Sequence, residues 1–491
     1  MRIGELLLAA RLVSEDQISA AMGRQRREGG RLGHNLAAIE AISPERLEAF
    51  LAAVPAEPSS VAETGIDEKS LLELLLKTAF NTPAESLADF AHALKLMPKL
   101  VDDLLDLCVR GQLMSALGGG HAGARYELTE AGKRRAMEAN ARSAYVGAAP
   151  VSLESYTHWV SRQKVTNEQI DWPGMKRAFA DLQVADAFVD QIGPAISSGR
   201  ALLMYGPPGN GKTSVAQRLE RVFQQIIYVP HAVLIDGQVM MVFDPDVHRP
   251  VNPAWGDPEA SPSLYRDNAD SRWVACWRPF IVTGGELTLE MLDLKHEATA
   301  NLYTAPLHIK AAGGCLLIDD FGRQIVSPTA LLNRWIVPLE NRVDYLKLAT
   351  GKSFRVPFQT VVIFSTNLAP ADLMDPAFLR RIPYKLEIGP PSPEAWRRIF
   401  KSVAAANGIE ADDGQIRAIE HDLTVTQGLD LAAYQPRFLI EQIVASSRFK
   451  AQPPALHREL VSLALANLTV GRSPGGGDGV GMGSGSLARV A

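Results

Sequence analysis

The stretch ALLMYGPPGNGKTSVAQRL, residues 201–219, predicts more about the fold than any other part of the chain. It begins as an apolar strand, turns through a glycine-rich loop and continues with helical periodicity. This is the context in which the motif G-x-x-x-x-G-K-[ST] binds phosphate groups. Glycines let backbone N–H groups close around a phosphate, and the N-terminus of the following helix adds partial positive charge. The predicted phosphate-binding residues are Gly206, Pro207, Pro208, Gly209, Asn210, Gly211, Lys212, Thr213 and Ser214.

A second apolar strand, GCLLIDDFG at residues 314–322, ends in two adjacent carboxylates. Together with the glycine-rich loop it predicts a site for ATP and Mg²⁺. Lys212 is expected to reach the β- and γ-phosphate oxygens, and Thr213 and Asp319 are expected to hold Mg²⁺. Asp320 is expected to polarise the attacking water. The alternative is an ordinary turn at a strand end, where Asp before Gly is common.

Further polar positions follow along the chain. Asn367 ends the strand TVVIFSTNL, where its amide could hold the water or a γ-phosphate oxygen; a helix cap is the alternative. Arg380 and Arg381 come next, and an arginine offered to a neighbouring subunit would neutralise transition-state charge. We expect Arg381, with or without Arg380, to act in this way; a solvated basic pair is the alternative. Arg437 lies in the first turn of a predicted helix, where a cation is unfavourable for the helix dipole. We therefore expect an anion beside Arg437, with phosphate as the candidate.

These motifs, in this order, resemble those of the AAA+ ATPases over residues 179–470. The resemblance places Asn367 at the sensor-1 position and Arg437 at the sensor-2 position, and it places Arg380 and Arg381 in the arginine-finger region. The family usually has Glu where this chain has Asp320, although DnaA-type members also carry Asp.

The resemblance also implies an architecture. The stretch LLNRWIVPLENRVDYLKLATGKSFRVPFQTVVIFSTN is similar to the helix and β-hairpin that MoxR-type members place before sensor 1. The family implies an α/β P-loop core with αβα layers around a parallel sheet, a helical lid and a ring, usually a hexamer.

The first 55 residues contain a repeat. RIGELLLAARLVSEDQISAAMGRQ starts at residue 2 and RLGHNLAAIEAISPERLEAFLAAV at residue 31, and each unit predicts two helices with a serine N-cap, Ser14 or Ser43, before the second. The repeat resembles the MshEN domain of type II secretion and type IV pilus ATPases, which implies binding of cyclic di-GMP. Arginine can pair with phosphate or stack on guanine, and glycine permits close approach. A docking module is the alternative, since Val54 replaces the second glutamine. The implied ligand residues are Arg2, Gly4, Leu7, Gln25, Arg31, Gly33 and Leu36.

The next module, residues 67–142, predicts three helices, a hairpin and a final helix. That order resembles a winged helix. Its candidate recognition helix carries Asp102, Asp103 and Asp106. Phosphates repel an acidic helix, so we expect a winged-helix fold that does not contact DNA; a small helical adaptor is the alternative.

The bulk composition predicts a soluble, cytoplasmic protein of several domains. The chain has 491 residues, 46% of them hydrophobic, and a net charge of −5, so no global basic field indicates nucleic-acid binding. Three scattered cysteines are too few for a disulfide framework or a zinc site. No apolar stretch approaches the length of a membrane span.

The domain prediction follows composition and motif order. The long segment between the P-loop helix and the acidic strand, which includes Trp255, Trp273 and Trp277, predicts an insertion with extra strands. That insertion is interpreted either as a partner contact or as an elaborated core hairpin. The predicted domains are a helical repeat (1–55), a linker (56–66), a winged-helix-like domain (67–142), a linker (143–155), the ATPase core (156–388), a helical lid (389–472) and a disordered Gly-rich tail (473–491).

The central hypothesis is a homo-oligomeric AAA+ ATPase that hydrolyses ATP to remodel a protein or nucleic-acid partner. The MshEN resemblance implies a protein target in a secretion or pilus system. The alternative is an ATP-gated regulatory or DNA-binding switch that hydrolyses poorly. A third hypothesis makes the N-terminal half a cyclic di-GMP receptor that controls the ATPase.

Overall fold

The computed structural model describes residues 3–118, 124–251, 269–373 and 376–469. Arg2, Trp255 and the predicted tail from residue 473 lie outside these ranges. The described chain divides into two compact units. The larger unit contains the chain up to Gly206 and Lys212–Ile388, and the smaller contains Pro207–Gly211 and the chain from Gly389.

The N-terminal repeat forms two helix pairs, as predicted. Its helices are α1 (Ile3–Ala9), α2 (Glu15–Glu28), α3 (Leu32–Ala38) and α4 (Pro44–Leu51). Both predicted N-caps are confirmed, because Ser14 accepts from the backbone N–H of Gln17 and Ser43 accepts from that of Arg46.

The next module has the predicted order of three helices, a hairpin and a helix. Its elements are α6 (Glu68–Asn81), α7 (Leu87–Leu94), α8 (Pro98–Arg110), β1 (Met114–Leu117), β2 (Arg125–Leu128) and α9 (Glu130–Arg142). A short helix, α5 (Val61–Thr64), precedes them in the segment predicted as a linker. The strands β1 and β2 pair antiparallel. Helix α8 buries Leu100, Leu104 and Cys108 and exposes its aspartates to solvent, as expected from its pattern. The winged-helix assignment itself stays a prediction.

Both segments interpreted as linkers are ordered and partly buried. Thr64, in the first of them, is 1% exposed, and its carbonyl accepts a hydrogen bond from Arg272 at 3.0 Å. Arg272 also donates to the carbonyl of Pro150 in the second segment and is paired with the buried Asp270. A buried ion pair therefore joins both segments to the rest of the larger unit.

The remaining elements of the larger unit alternate between helices and strands. Its helices are α10 (Leu153–Arg162), α11 (Trp172–Ala178), α12 (Asp186–Ser197), α13 (Lys212–Arg218), α14 (Leu307–Lys310), α15 (Pro328–Asn341), α16 (Pro370–Leu373) and α17 (Pro376–Leu379), with single 3₁₀ turns at Val165–Asn167, Leu219–Val222 and Glu290–Leu292. Its strands are β3 (Val151–Ser152), β4 (Leu202–Tyr205), β5 (Ile226–Pro230), β6 (Ala232–Ile235), β7 (Gln238–Met241), β8 (Trp273–Trp277), β9 (Phe280–Thr283), β10 (Lys295–Glu297), β11 (Leu302–Thr304), β12 (Cys315–Ile318), β13 (Val343–Lys347), β14 (Ser353–Pro357), β15 (Val361–Thr366) and β16 (Tyr384–Glu387).

The central sheet has five strands in the order β16-β4-β15-β12-β9, and every neighbouring pair is parallel. Alternate residues of each strand enter two separate cores. Leu202 and Leu317 belong to one core and Leu203 and Leu316 to the other, so helices cover both faces. This is the α/β P-loop core that the sequence predicts. Parallel strands bring the carboxyl ends of β4, β15 and β12 to one edge of the sheet.

The segment between α13 and β12 contains the predicted extra strands. The strands β5 and β8 pair antiparallel, and a second sheet has the order β10-β11-β7-β6-β3. The predicted helix and hairpin before β15 are also present, as α15 and the antiparallel pair β13–β14. Leu346 and Val356 of this hairpin pack in one core with residues of the second sheet.

The smaller unit is helical apart from the P-loop residues. Its helices are α18 (Pro393–Ala406), α19 (Asp413–His421), α20 (Gln435–Phe449) and α21 (Arg458–Thr469), with a π-helical turn at Asp422–Thr426. Trp396 and Phe400 are fully buried in its core. Among the residues described, neither unit contains a helix with both the length and the apolar character that crossing a membrane requires.

Candidate functional site

The P-loop backbone adopts conformations that favour glycine. Gly206, directly after β4, has φ +139°, and a Cβ there would overlap the carbonyl of Ile388. Gly209 has φ +78°, and a Cβ there would overlap the ring of Tyr434. Both positions therefore require the absence of a side chain, as the motif predicts.

Lys212 begins α13 and is 6% exposed. Its Nζ donates a hydrogen bond of 2.9 Å to the carbonyl oxygen of Gly206. Burial lowers the pKa of Lys212, while the negative charges of Asp319 and Asp320 act in the opposite direction. A buried cation thus lies in the electrostatic field of the two carboxylates that end β12.

The predicted metal residues are in direct contact. Thr213 Oγ1 donates to Asp319 Oδ2 at 2.7 Å, although the two residues lie far apart in the chain. The backbone N–H of Asp319 donates to the carbonyl of Thr283 at the end of β9, which fixes the strand end. The Thr213 hydroxyl, in the first turn of α13, thus lies beside the Asp319 carboxylate. Two such oxygen ligands suit Mg²⁺.

Asp320 and Asn367 are also brought together. Asn367 Nδ2 donates to Asp320 Oδ1 at 3.1 Å, from the end of β15 to the end of the neighbouring strand β12. Asp320 has φ +48°, in the left-handed region, where Asp and Asn are enriched among residues other than glycine. The backbone thus supplies a physical reason for Asp rather than Glu at this position.

The two predicted finger arginines differ in their surroundings. Arg381 Nε donates to Glu340 Oε1 at 2.6 Å, and the Arg381 side chain is 16% exposed. Arg380 is exposed. Only Arg380 therefore presents its side chain fully to solvent, where another subunit could meet it.

Arg437 lies in the first turn of α20, as predicted, but its anion is a carboxylate of its own helix. Arg437 Nε donates to Glu441 Oε1 at 2.7 Å, and both side chains are well exposed. This i,i+4 ion pair supplies an anion that the sequence argument did not consider, and a contact of Arg437 with phosphate stays a prediction.

Two contacts near the loop and the strand end were not predicted. In the smaller unit, the backbone N–H of Tyr434 donates to the carbonyl of Gly209 at 2.9 Å, and that of Ala433 donates to Asn210 Oδ1 at 3.3 Å. In the larger unit, the side chain of Gln324 is hydrogen-bonded to the turn that follows β12. Neither Tyr434 nor Gln324 was identified by a sequence motif, so only the folded chain reveals their contacts.

Helix packing explains much of the spacing of apolar residues and glycines in the N-terminal repeat. Leu7 and Leu36 are fully buried in the core of the repeat. A Cβ at Gly4 would lie 2.9 Å from Leu32 Cδ2, and one at Gly33 would lie 3.0 Å from Leu47 Cδ2. These glycines give space to leucines, and their predicted role beside a ligand stays a prediction.

Two of the polar residues implied as ligands, Gln25 and Arg31, are at least partly exposed. Gln25 donates to the carbonyl of Gly30 at 2.8 Å, and Arg31 is an exposed residue at the N-terminus of α3. Binding of cyclic di-GMP stays a prediction from the resemblance.

Comparisons with known proteins give three findings. A family model described as a domain of unknown function, DUF8689, matches residues 392–467. A search of curated proteins finds no match. Among solved structures, a RuvB mutant from Thermotoga maritima is 14% identical, with 62% of this chain and 73% of that chain covered and a TM-score of 0.31. NtrX from Brucella abortus is 15% identical, with 61% and 60% covered and a TM-score of 0.35. The α/β P-loop core is therefore assigned from its sheet and loop alone.

Proposed function

We propose that the protein binds ATP with Mg²⁺ and hydrolyses it as an AAA+ ATPase. The observation that carries the proposal is the contact of Thr213 with Asp319 at 2.7 Å beside the buried Lys212. A hydroxyl, a carboxylate and an ammonium group thus meet where the P-loop enters its helix. That combination is the one phosphoryl transfer requires, because the reaction depends on positioning and on neutralising phosphate charge.

Each residue of the site has a proposed role. The P-loop backbone and Lys212 bind the phosphates of ATP, and Thr213 and Asp319 would hold Mg²⁺. When bound, Mg²⁺ neutralises charge on the β- and γ-phosphates. Asp320 orients and polarises the attacking water, and the amide of Asn367 holds the Asp320 carboxylate in place.

The family resemblance supports a proposal for how the free energy of ATP hydrolysis is used. A ring of subunits would convert ATP hydrolysis into remodelling of a partner, with a protein target favoured over DNA because the exposed face of α8 is acidic. In such a ring Arg380 would neutralise transition-state charge at the site of a neighbouring subunit, since Arg381 is paired with Glu340.

Steady-state phosphate release by the full chain tests the proposal. Asp319→Asn and Thr213→Ala should each lower turnover strongly and raise the Mg²⁺ concentration required for half-maximal activity. Asp103→Asn is the matched control, because it makes the same chemical change on the exposed face of α8. Turnover in Asp319→Asn equal to that of the control would rule the proposed metal site out.

A second candidate function is an ATP-gated switch that hydrolyses slowly. The observation that favours it is the short side chain of Asp320, whose Oδ1 is already hydrogen-bonded to Asn367. Phosphate release and ATP retention, both measured with ATP in excess of the protein, separate the two functions. Rapid, repeated phosphate release supports the ATPase, whereas tight ATP binding without release supports the switch.

A further inference from the structure

The turn that follows β12 carries both acidic residues, and two of its residues have positive φ. Asp320 is in the left-handed region with φ +48°, and Gly322 has φ +100°. The N–H of Arg323 donates to the carbonyl of Asp320 at 3.0 Å, which closes the turn. The direction of the two carboxylates therefore depends on what holds these peptide groups in place.

Gln324 binds three of those peptide groups with one side-chain amide. Its Nε2 donates to the carbonyl of Asp319 at 3.0 Å and to that of Asp320 at 3.3 Å. Its Oε1 accepts from the N–H of Gly322 at 2.8 Å. Both donors and the acceptor of the amide are thus used on a single turn.

Burial distinguishes Gln324 from its neighbours. Its side chain is 9% exposed, whereas that of the next residue, Ile325, is 84% exposed. A glutamine in a surface segment would ordinarily extend into water. Here the side chain is turned inward, and its hydrogen-bonding groups replace water around the backbone that bears Asp319 and Asp320.

The carboxylates reach their partners from this turn. Asp319 Oδ2 accepts from Thr213, and Asp320 Oδ1 accepts from Asn367. A rotation of either peptide group would move a carboxylate away from its partner. Displacements of roughly 1 Å can cost about 10²-fold in rate when a reacting group is positioned by the protein.

We propose that Gln324 is a positioning residue for ATP hydrolysis, whose amide sets the directions of the Asp319 and Asp320 carboxylates. This inference rests on the proposed function and adds a residue that no motif contains. Gln324 acts through the turn and does not itself touch the phosphates or the attacking water.

The first experiment compares Gln324→Leu with the wild type in steady-state ATPase assays. Leu keeps the bulk of the side chain and removes all three hydrogen bonds. We expect kcat to fall by about 10-fold to 10²-fold, while KM for ATP changes little, because the P-loop contacts are intact. Gln163→Leu is the matched control, since it removes a glutamine that binds both the N–H and the carbonyl of Tyr228. Its kcat should match that of the wild type.

Gln324→Glu is the near-isosteric variant for the same question. It keeps the length and planar shape of the side chain and an oxygen that can accept from Gly322, but an ionised Glu has no donor for the two carbonyls. The kcat of Gln324→Glu should therefore fall as in Gln324→Leu.

A third measurement does not depend on turnover. Mn²⁺ binding, followed by its electron paramagnetic resonance signal in the presence of a non-hydrolysable ATP analogue, should weaken in Gln324→Leu and not in Gln163→Leu. Equal kcat and equal Mn²⁺ affinity in the two leucine variants would overturn the inference, as would wild-type kcat in Gln324→Glu. If the inference failed in this way but the wild type hydrolysed ATP and Lys212→Ala did not, the proposed function would still stand. Absence of wild-type turnover would overturn both.

Discussion

The side-chain amide of Asn367 donates a hydrogen bond of 3.1 Å to the carboxylate of Asp320. The two residues follow neighbouring parallel strands, β15 and β12, and are 47 positions apart in the chain. The contact gives the shorter acid at position 320 a defined direction. It also links the strand end that carries the proposed metal ligand to the one that carries the proposed sensor.

The backbone at Asp320 predicts that Asp320→Glu slows the enzyme. Glu is disfavoured at φ +48°, and left-handed residues other than glycine cost about 1–3 kcal/mol, least for Asp and Asn. We expect the free energy of unfolding to fall by about 1 kcal/mol and kcat to fall about 10-fold or more. Asp320→Asn should retain stability and lose turnover. Chemical denaturation and ATPase assays check both variants. Faster turnover in Asp320→Glu than in the wild type would contradict the backbone argument.

The proposed arginine finger is tested by comparing two adjacent substitutions. Arg380→Ala should reduce kcat by about 10³-fold in the assembled oligomer and leave ATP affinity unchanged, because a finger acts on the transition state. Arg381→Ala removes the pair with Glu340 and should cost less than about 1 kcal/mol of stability, as exposed or half-exposed ion pairs do. Assembly is checked by analytical ultracentrifugation. Full activity of assembled Arg380→Ala would refute the assignment.

A buried ionic cluster predicts the acid stability of the larger unit. Burial would raise the pKa of Asp344, but hydrogen bonds and charges from His308 and Arg334 outweigh it and hold that pKa at about 2. Because the folded-state pKa is below the ordinary value of 3.8, the carboxylate stabilises the fold above pH 4 and loses this contribution as the pH falls toward 2.

Asp344→Asn should therefore lower the free energy of unfolding by about 3 kcal/mol at pH 7, because it removes the buried negative charge that pairs with Arg334. The difference from the wild type should shrink between pH 4 and pH 2. Denaturant titrations at several pH values measure it. A difference that stays constant across that range would contradict the ionic account.

The P-loop contact in the smaller unit predicts a strict requirement for glycine. Gly209→Ala would place a Cβ in the space of the Tyr434 ring at a position with φ +78°. We expect a loss of about 1–3 kcal/mol in stability and weaker ATP binding. Tyr434→Ala in the same chain should restore part of the loss, because it removes the overlap but not the backbone strain.

Gly193→Ala is the matched control for that substitution. Gly193 lies within α12, and a Cβ there would meet no atom within 4 Å. The change should stabilise the helix slightly, by up to about 1 kcal/mol. If Gly209→Ala behaved like this control in denaturation and in ATP binding, the proposed contact with Tyr434 would be wrong.

Much of the site could be predicted because its residues belong to short sequence motifs with a known local structure. The P-loop spacing requires glycines, and parallel strands bring their carboxyl ends together, so the contact of Thr213 with Asp319 follows from two motifs and one sheet. The extra strands before β12 could also be predicted from the sequence of their segment, whereas the hairpin before β15 was predicted from the family resemblance.

Other features depend on contacts that the sequence does not encode locally. Gln324 becomes meaningful only when the turn is folded, since its three partners are backbone groups. Composition suggested linkers at 56–66 and 143–155, whereas the buried Arg272 binds carbonyls in both. The dipole argument required an anion near Arg437 but could not choose between a ligand and Glu441.

The most direct test of the proposed function is phosphate release from ATP and Mg²⁺ by the full chain and by Lys212→Ala. Lys99→Ala is the control, because it removes a lysine from the exposed face of α8. We expect steady turnover in the wild type and in Lys99→Ala, and background release in Lys212→Ala, because the buried ammonium group is lost from the phosphate site. Equal turnover in all three proteins, or no turnover in any of them, would contradict the proposal.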